Sequence, residues 1–411
     1  MAVATDFAPP FKLIAPYFLF GVVALVMSAF LLFGVDVTNL HHLDPFILAL
    51  AHLFLLGFVM MVIFGAMAQL VPVVLEVGHF AVDLYYVVFL LLGIGTLMMG
   101  IGFYLYPTLL AFGGVVVLIA FSIFLFETFA TILKVKRYNF TILSVIVAAC
   151  MLLIGIVLGL VMALGYSGIV EVDANRYLQA HIFFVLFGYV GMSVMGMSLV
   201  LLPMFWLSHG YTLKHVKRAA ALLVLACGIV VAELFFPSHT LLLAAYGVFL
   251  LSLFSYLMQF YVLYKTRARL ERDIYYYSIV VAYVSLFSSI VFGIASMVAP
   301  HESLLIGTLW IWLFGYITFI ITGHLYKIVP FLVWYQKFSP LIGKQKVPML
   351  ADMVPKRGAF MQFLFMACGV FLGFLGITLQ NSHLFDAAVN FFVFGALFMF
   401  KNLLYMIRFK G

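Results

Sequence analysis

Apolar stretches, each about as long as a bilayer is thick, follow one another along this sequence. A helix needs roughly 20 apolar residues to cross the hydrocarbon core of a membrane, and twelve stretches approach or exceed that length. They cover residues 11–33, 46–72, 80–105, 107–133, 140–165, 177–206, 216–236, 239–264, 274–299, 304–334, 358–379 and 383–407. The sequence therefore predicts an all-α polytopic membrane protein with twelve transmembrane helices.

The composition excludes a water-soluble globule. Hydrophobic residues make up 67% of the chain and charged residues 9%, which is too little polar surface to cover a soluble protein. Lys and Arg concentrate at one set of helix ends, and of the 21 only Arg176 lies clearly at the other set. Because positive residues stay on the cytoplasmic side, both termini are predicted to be cytoplasmic.

One helix pattern occurs three times. In residues 51–74, AHLFLLGFVMMVIFGAMAQLVPVV, two glycines and a proline form the pattern G-x7-G-x6-P. The same pattern returns without insertion, so that the three sets are Gly57/Gly65/Pro72, Gly188/Gly196/Pro203 and Gly315/Gly323/Pro330. Each copy is predicted to be a long helix that ends near its proline.

The repeated pattern predicts how these helices pack. At about 100° per residue, the two glycines and the proline fall within about 80° of one another, on one smooth face that can lie against another helix. Glycine is common in membrane helices, so one copy could arise by chance, but three copies at a nearly constant period indicate triplication. We predict a single transmembrane domain over residues 1–411, with three pseudo-threefold four-helix repeats at about 11–133, 140–264 and 274–407.

The eleven histidines fall into three groups by predicted depth. Five lie at outer helix ends and three in inner loops, where they are most simply solvated residues; these are His41, His42, His239, His301 and His383, then His79, His209 and His215. The outer histidines could hold a surface metal only if their loops converge. The remaining three, His52, His181 and His324, lie within predicted helices.

His52 and His181 are the candidate cofactor ligands. An ionisable side chain inside a bilayer is costly and usually has a partner or a function, and both residues are predicted in the outer leaflet. His52 precedes the first glycine of its copy by five residues and His181 by seven, so that they face flanks about 200° apart. This arrangement suits two imidazoles that bind the iron of one haem. The structural alternative is that each ring only bonds a neighbouring carbonyl.

At this point the sequence resembles the heme-copper oxidase subunit I superfamily, whose members have twelve helices in three four-helix arcs. His52 with Gly57, Gly65 and Pro72 is similar to the second helix of that superfamily and of the NnrS-type haem membrane proteins linked to nitric oxide tolerance. The resemblance implies that His52 binds a low-spin b-type haem in a bacterial inner membrane.

The sequence departs from this superfamily at the copper-haem centre. The seventh helix, 216–236, has no histidine within it, and the tenth has Thr308, Leu309, Trp310 and Trp312 where two haem-binding histidines are expected. The binuclear oxygen-reducing centre is therefore predicted to be missing, and no copper is expected in the membrane interior.

A second polar group lies deeper in the tenth helix. His324 and Lys327 point away from the glycine face; Lys327 can extend to the inner surface, and His324 can bond Gln69 or a carbonyl. The main interpretation is a structural polar cluster, and the alternatives are a proton path or a second ligand site.

The predicted function is haem-based electron transfer or the binding of a diatomic gas such as nitric oxide. Two alternatives stay open: a reduced nitric oxide or oxygen reductase, for which ligands are missing, and a haem or copper transporter. The expected partners are the lipid bilayer, haem, and a diatomic gas or periplasmic electron carrier. Assembly with further copies of the chain is left open, and nucleic acid is not expected.

Overall fold

A computed structural model describes residues 9–410 and shows an all-helical protein with twelve helices long and apolar enough to span a membrane. We name these helices α1 to α12. Their bounds are Phe11–Gly34, Pro45–Leu75, Leu84–Tyr104, Thr108–Ile132, Phe140–Tyr166, Ala174–Trp206, Lys214–Phe235, His239–Lys265, Ile274–Val298, Glu302–Lys337, Lys356–Thr378 and Ser382–Ile407. The predicted fold class and the number of spans are confirmed.

Helix ends differ from the predicted ones by a few residues, for identifiable reasons. The carboxylate of Asp44 accepts hydrogen bonds from the backbone N–H groups of Phe46 and Ile47, and Pro45 occupies the first position of α2. An acidic N-cap followed by proline is a strong start signal for a helix.

Large apolar side chains such as Leu90, Phe112 and Phe371 are exposed on the helices, as lipid contact requires.

Residues 9–410 form two compact units. The middle unit contains residues 68–270; in it α3 packs on α4, α4 and α6 pack on α5, and α7 packs on α8. The terminal unit contains residues 9–67 and 271–410; in it α1 packs on α2 and α12, α9 on α10, and α11 on α12. The boundary between the units falls inside α2, after Met67.

The glycine faces of the three patterned helices pack against the helix that precedes each in the chain. A methyl group at Gly65 of α2 would lie 2.7 Å from Cβ of Tyr17 in α1. One at Gly323 of α10 would lie 2.9 Å from Cβ of Ser278 in α9. Gly196 of α6 lies against Ser144 of α5 in the same way. The smooth face predicted from the sequence is confirmed, since a Cβ at these positions would overlap the neighbouring helix.

Each patterned helix also contains a π-helical segment that the sequence analysis did not predict. These segments are Leu53–Met60 in α2, Phe183–Gly191 in α6 and Ile311–Ile317 in α10. Each contains the first glycine of its copy. π-Helical turns are rare and often occur at functional sites. The side chains in and beside these three segments are therefore candidates for a functional site.

The prolines lie inside the helices close to their ends. Pro72 and Pro203 each precede the last helical residue by three positions (75 − 72 and 206 − 203), and Pro330 precedes it by seven (337 − 330). The prediction that each patterned helix ends near its proline is therefore confirmed for α2 and α6. It describes α10 less well, because that helix continues for about two further turns after Pro330.

Candidate functional site

His52 lies on α2 immediately before its π-helical segment and is half-buried. Its Nδ1 is 2.8 Å from the carbonyl oxygen of Leu48, one turn earlier in the same helix. A carbonyl can only accept, so Nδ1 carries a proton, and in the neutral ring the lone pair is therefore on Nε2. This bond fixes a proton on Nδ1 and helps to orient the ring.

His181 lies on α6 two residues before the second π-helical segment and is also half-buried. Its Nδ1 is 2.9 Å from the carbonyl oxygen of Gly155 in α5. The ring lies against Gly159 of α5, where an added methyl group would be 2.7 Å from Cε1 of His181 and 3.1 Å from Nδ1. The absence of a side chain at Gly159 therefore lets the ring approach α5.

The two candidate ligands thus make the same kind of hydrogen bond, but to carbonyl groups in different places. In each ring Nδ1 donates to a backbone carbonyl, and Nε2 is the basic nitrogen. If the two histidines have only a structural role, this bond to a carbonyl is their whole function. The same kind of bond also orients a metal-binding histidine and raises its basicity. A haem-binding role is compatible with both side chains as they stand.

The third patterned helix has no histidine at the corresponding positions. Trp310 occupies the place of His52, five residues before the first glycine, and its Nε1 donates to the carbonyl of Val370 at 2.9 Å. Thr308 occupies the place of His181, and its hydroxyl donates to the carbonyl of Leu304. Both side chains make structural contacts within the terminal unit, and neither supplies an imidazole.

His324 and Lys327 belong to a polar group within the terminal unit. His324 Nδ1 bonds the carbonyl of Ile320 at 2.8 Å, which is one of the two predicted partners, and its ring meets the edge of Tyr275. Lys327 Nζ pairs with the carboxylate of Asp273 and lies 5.6 Å from the Tyr275 ring. Asp273 and Tyr275 were not foreseen as members.

The predicted third member of that cluster, Gln69, lies in the middle unit. Its side chain is buried, and its Oε1 has no hydrogen-bond partner among residues 9–410. A cluster of His324, Lys327 and Gln69 stays a prediction.

His79 was predicted to be a solvated residue in an inner loop. It does lie in a loop, but the prediction that it is solvated is wrong. Its side chain is only 4% exposed and that of Glu127 is 1% exposed. His79 Nδ1 is 2.8 Å from Glu127 Oε1, and Nε2 is 2.7 Å from the carbonyl oxygen of Ala68. The loop after α2 folds back over the end of α4, and that is why the ring is buried.

The hydrogen bonds of this pair indicate its charge state. Glu127 Oε1 accepts from His79, from the hydroxyl of Thr131 at 2.8 Å and from the backbone N–H of Phe80 at 3.1 Å. Three donors on one oxygen indicate a carboxylate. Since both nitrogens of His79 face acceptors, the ring is a doubly protonated imidazolium. His79 and Glu127 therefore form a buried ion pair within the middle unit.

The other two inner histidines differ from each other. His209 is exposed, as predicted. His215 lies in the first turn of α7, because that helix begins at Lys214, and its Nδ1 is buried without a hydrogen-bond partner among residues 9–410. The prediction of a solvated loop position is therefore wrong for His215.

The loop between α1 and α2 brings its two histidines to the start of α10. His42 Nδ1 lies 2.8 Å and His41 Nε2 3.8 Å from Glu302 Oε1. In the same loop, the hydroxyl and the backbone N–H of Thr38 donate to Asp36 at 2.7 and 2.9 Å, and these bonds lower the pKa of the Asp36 carboxyl. The convergence that a surface metal would require is present within the terminal unit.

Comparisons with protein families and with curated proteins found no match. No protein-family model matches the sequence, and no significant match to a curated protein was found. Arguments about function therefore depend on the side chains themselves.

Proposed function

We propose that the protein is a haem b-binding protein of the bacterial inner membrane, with His52 and His181 as the candidate iron ligands. The observation that carries this proposal is the hydrogen bond shared by the two rings: Nδ1 donates to a backbone carbonyl, so in the neutral ring Nε2 holds the lone pair. Both rings stand at the start of a π-helical segment, where local helix geometry departs from the ordinary α-helix.

The donor set suits haem. Neutral imidazole is a normal axial ligand of haem iron, and a bound b-type haem supplies one-electron transfer or a binding position for a diatomic gas. The protein's own contribution is orientation. Leu48 fixes the ring of His52, while Gly155 and Gly159 fix that of His181, so both rings are held before a cofactor arrives.

The number of histidine ligands separates the two proposed activities. If both imidazoles bind one iron, the haem is six-coordinate, which favours electron exchange with a carrier. If only one binds, a position remains for nitric oxide or another diatomic gas. With Trp310 and Thr308 on α10 instead of histidines, a copper-haem reaction centre has no ligands at those positions, so an electron-transfer or gas-binding role is preferred to a reductase.

Orientation in the membrane follows from charge. The proposed cytoplasmic side is the one that carries nearly all Lys and Arg, which places the starts of α2 and α6 toward the periplasm. An electron carrier of that compartment is the partner that this orientation favours.

Absorption spectra of the purified protein, oxidised and reduced, test the proposal. The wild type should show a six-coordinate low-spin b-type haem, and His52→Ala or His181→Ala should each give a five-coordinate or haem-free protein. His324→Ala is the matched control, because its ring bonds a carbonyl in the same way but lies deeper in α10. Loss of haem in the His324 variant with retention in the His181 variant would reject the proposed ligands.

A further inference from the structure

A group of three exposed side chains at the predicted outer surface has the composition of a metal site. His41 and His42 come from the loop between α1 and α2, and Glu302 is the first residue of α10. One ligand atom from each lies within 4.8 Å of the other two. His42 and Glu302 are 260 positions apart in sequence, and all three residues belong to the terminal unit.

Two features hold the group together without an ion. Glu302 Oε1 accepts from both Nδ1 and the backbone N–H of His42, at 2.8 and 3.1 Å. The rings of His41 and His42 stack with their centroids 4.7 Å apart and their planes 25° apart. Both imidazoles are therefore held on the same side of one carboxylate.

We propose that His41, His42 and Glu302 bind a divalent transition-metal ion of the kind that prefers imidazole, Zn²⁺ or Cu²⁺. Two imidazoles and a carboxylate form a ligand set that zinc uses in open sites, where water completes the coordination. The site is separate from the proposed haem ligands and does not depend on them.

The distances from the carboxylate oxygen to the two imidazole nitrogens suit such an ion. With metal–ligand bonds of about 2.0–2.1 Å, two ligands of a tetrahedral zinc ion lie about 3.4 Å apart. The separations from Glu302 Oε1 are 2.8 Å for His42 Nδ1 and 3.8 Å for His41 Nε2. Their departures from the tetrahedral value are about half an ångström, which small rotations of exposed side chains can supply.

Metal binding requires changes in protonation at both rings. His42 must lose the proton that it shares with Glu302. His41 Nδ1 accepts from the backbone N–H of Leu43 at 3.2 Å, so binding through Nε2 moves the proton of His41 to Nδ1 and breaks that bond. The bond is long and exposed, and water replaces it. Since the three side chains are 40–57% exposed, an ion can enter and leave from solvent, and the site is an exchangeable one.

Titration of the full-length protein in detergent, after removal of metal with a chelator, tests the proposal with Zn²⁺ alone. Calorimetry should show a site that weakens by more than about tenfold in Glu302→Gln and in His42→Gln, since even changes to residues that only orient a metal ligand often cost 10–100-fold in metal affinity. His383→Gln is the matched control, because His383 is an exposed outer histidine of the same unit outside the group, and it should bind as the wild type does.

Cu²⁺ provides a second readout. The electron paramagnetic resonance spectrum of the wild type should show two coordinated imidazole nitrogens, and His41→Gln should show one. Thermal unfolding without metal establishes that the variants are folded. Unchanged Zn²⁺ affinity in both Glu302→Gln and His42→Gln would overturn the proposal, and would leave an exposed ion pair of the ordinary kind.

Discussion

The buried pair of His79 and Glu127 makes a sharp prediction about stability. His79→Ala removes the imidazolium from the Glu127 carboxylate, which is 1% exposed in the wild type, and leaves Thr131 and the backbone of Phe80 as its remaining donors. Removal of one partner from a buried ion pair costs about 3–5 kcal/mol, because the other charge stays buried without compensation. We expect His79→Ala to lower the free energy of unfolding by that amount.

The magnitude follows from the separation of the two atoms. At 2.8 Å, Coulomb's law with an effective dielectric constant near 20 gives an attraction of about 6 kcal/mol. Desolvation of both ions offsets part of this attraction. The double variant His79→Ala/Glu127→Gln has no buried charge, so it should be more stable than His79→Ala alone by about 2 kcal/mol or more. Removal of the second charge should therefore restore part of the lost stability.

Equilibrium unfolding of the purified protein in mixed detergent micelles measures these differences as a double-mutant cycle with Glu127→Gln. Thr131→Val is the control, because it removes one neutral donor from the same oxygen and should cost about 1.5–3 kcal/mol. If His79→Ala and the double variant were equally stable, and both within about 1 kcal/mol of the wild type, a charged buried pair would be refuted.

Three further predictions concern the proposed haem protein. Gly159→Ala should reduce haem content or alter its spectrum, since the new methyl group would lie 2.7 Å from Cε1 of His181; Gly247→Ala, at a helical glycine with open space around it, should leave both unchanged. A reporter that is active only in the periplasm, fused to the C-terminus, should be inactive, and activity would contradict the predicted orientation. Oxygen electrode measurements with artificial electron donors should show no sustained cyanide-sensitive oxygen uptake, because α10 has Trp310 and Thr308, and not histidines, at the positions that correspond to His52 and His181.

Hydropathy was sufficient to predict the twelve helices, because the length and the apolar character of each span are local properties of the sequence. The glycine faces were predictable for a related reason: a pattern at helical spacing defines a face, and Gly65, Gly196 and Gly323 all lie on faces that contact another helix. Helix ends were less predictable, since an N-cap such as Asp44 acts through individual hydrogen bonds and not through mean hydropathy.

Contacts between distant residues could not be predicted in this way. His79 and Glu127 are 48 positions apart, and a histidine after the end of a helix is ordinarily solvated. Lys134 donates to the carbonyls of Gly78 and His79 at 3.2 and 2.9 Å. The sequence gives no reason to pair this lysine with the loop, so the contact could not be predicted either. The same difficulty applied to the histidines predicted at outer helix ends. They were considered as ligands of a surface metal, but nothing in the sequence indicated that Glu302 lies beside His41 and His42.

The π-helical segments change one argument about the candidate haem ligands. The predicted angle of about 200° between the flanks of His52 and His181 assumed 100° per residue along their helices. The residues between each histidine and its first glycine lie largely in π-helical turns, whose wider i→i+5 hydrogen bonding rotates the chain by less than 100° per residue. The offset of two residues remains, so the histidines still occupy different flanks of their own helices, but the angle between those flanks is not the one that uniform α-helices would give. The spectra of His52→Ala and His181→Ala therefore test the assignment of both rings to one iron directly, because they do not depend on a helical projection.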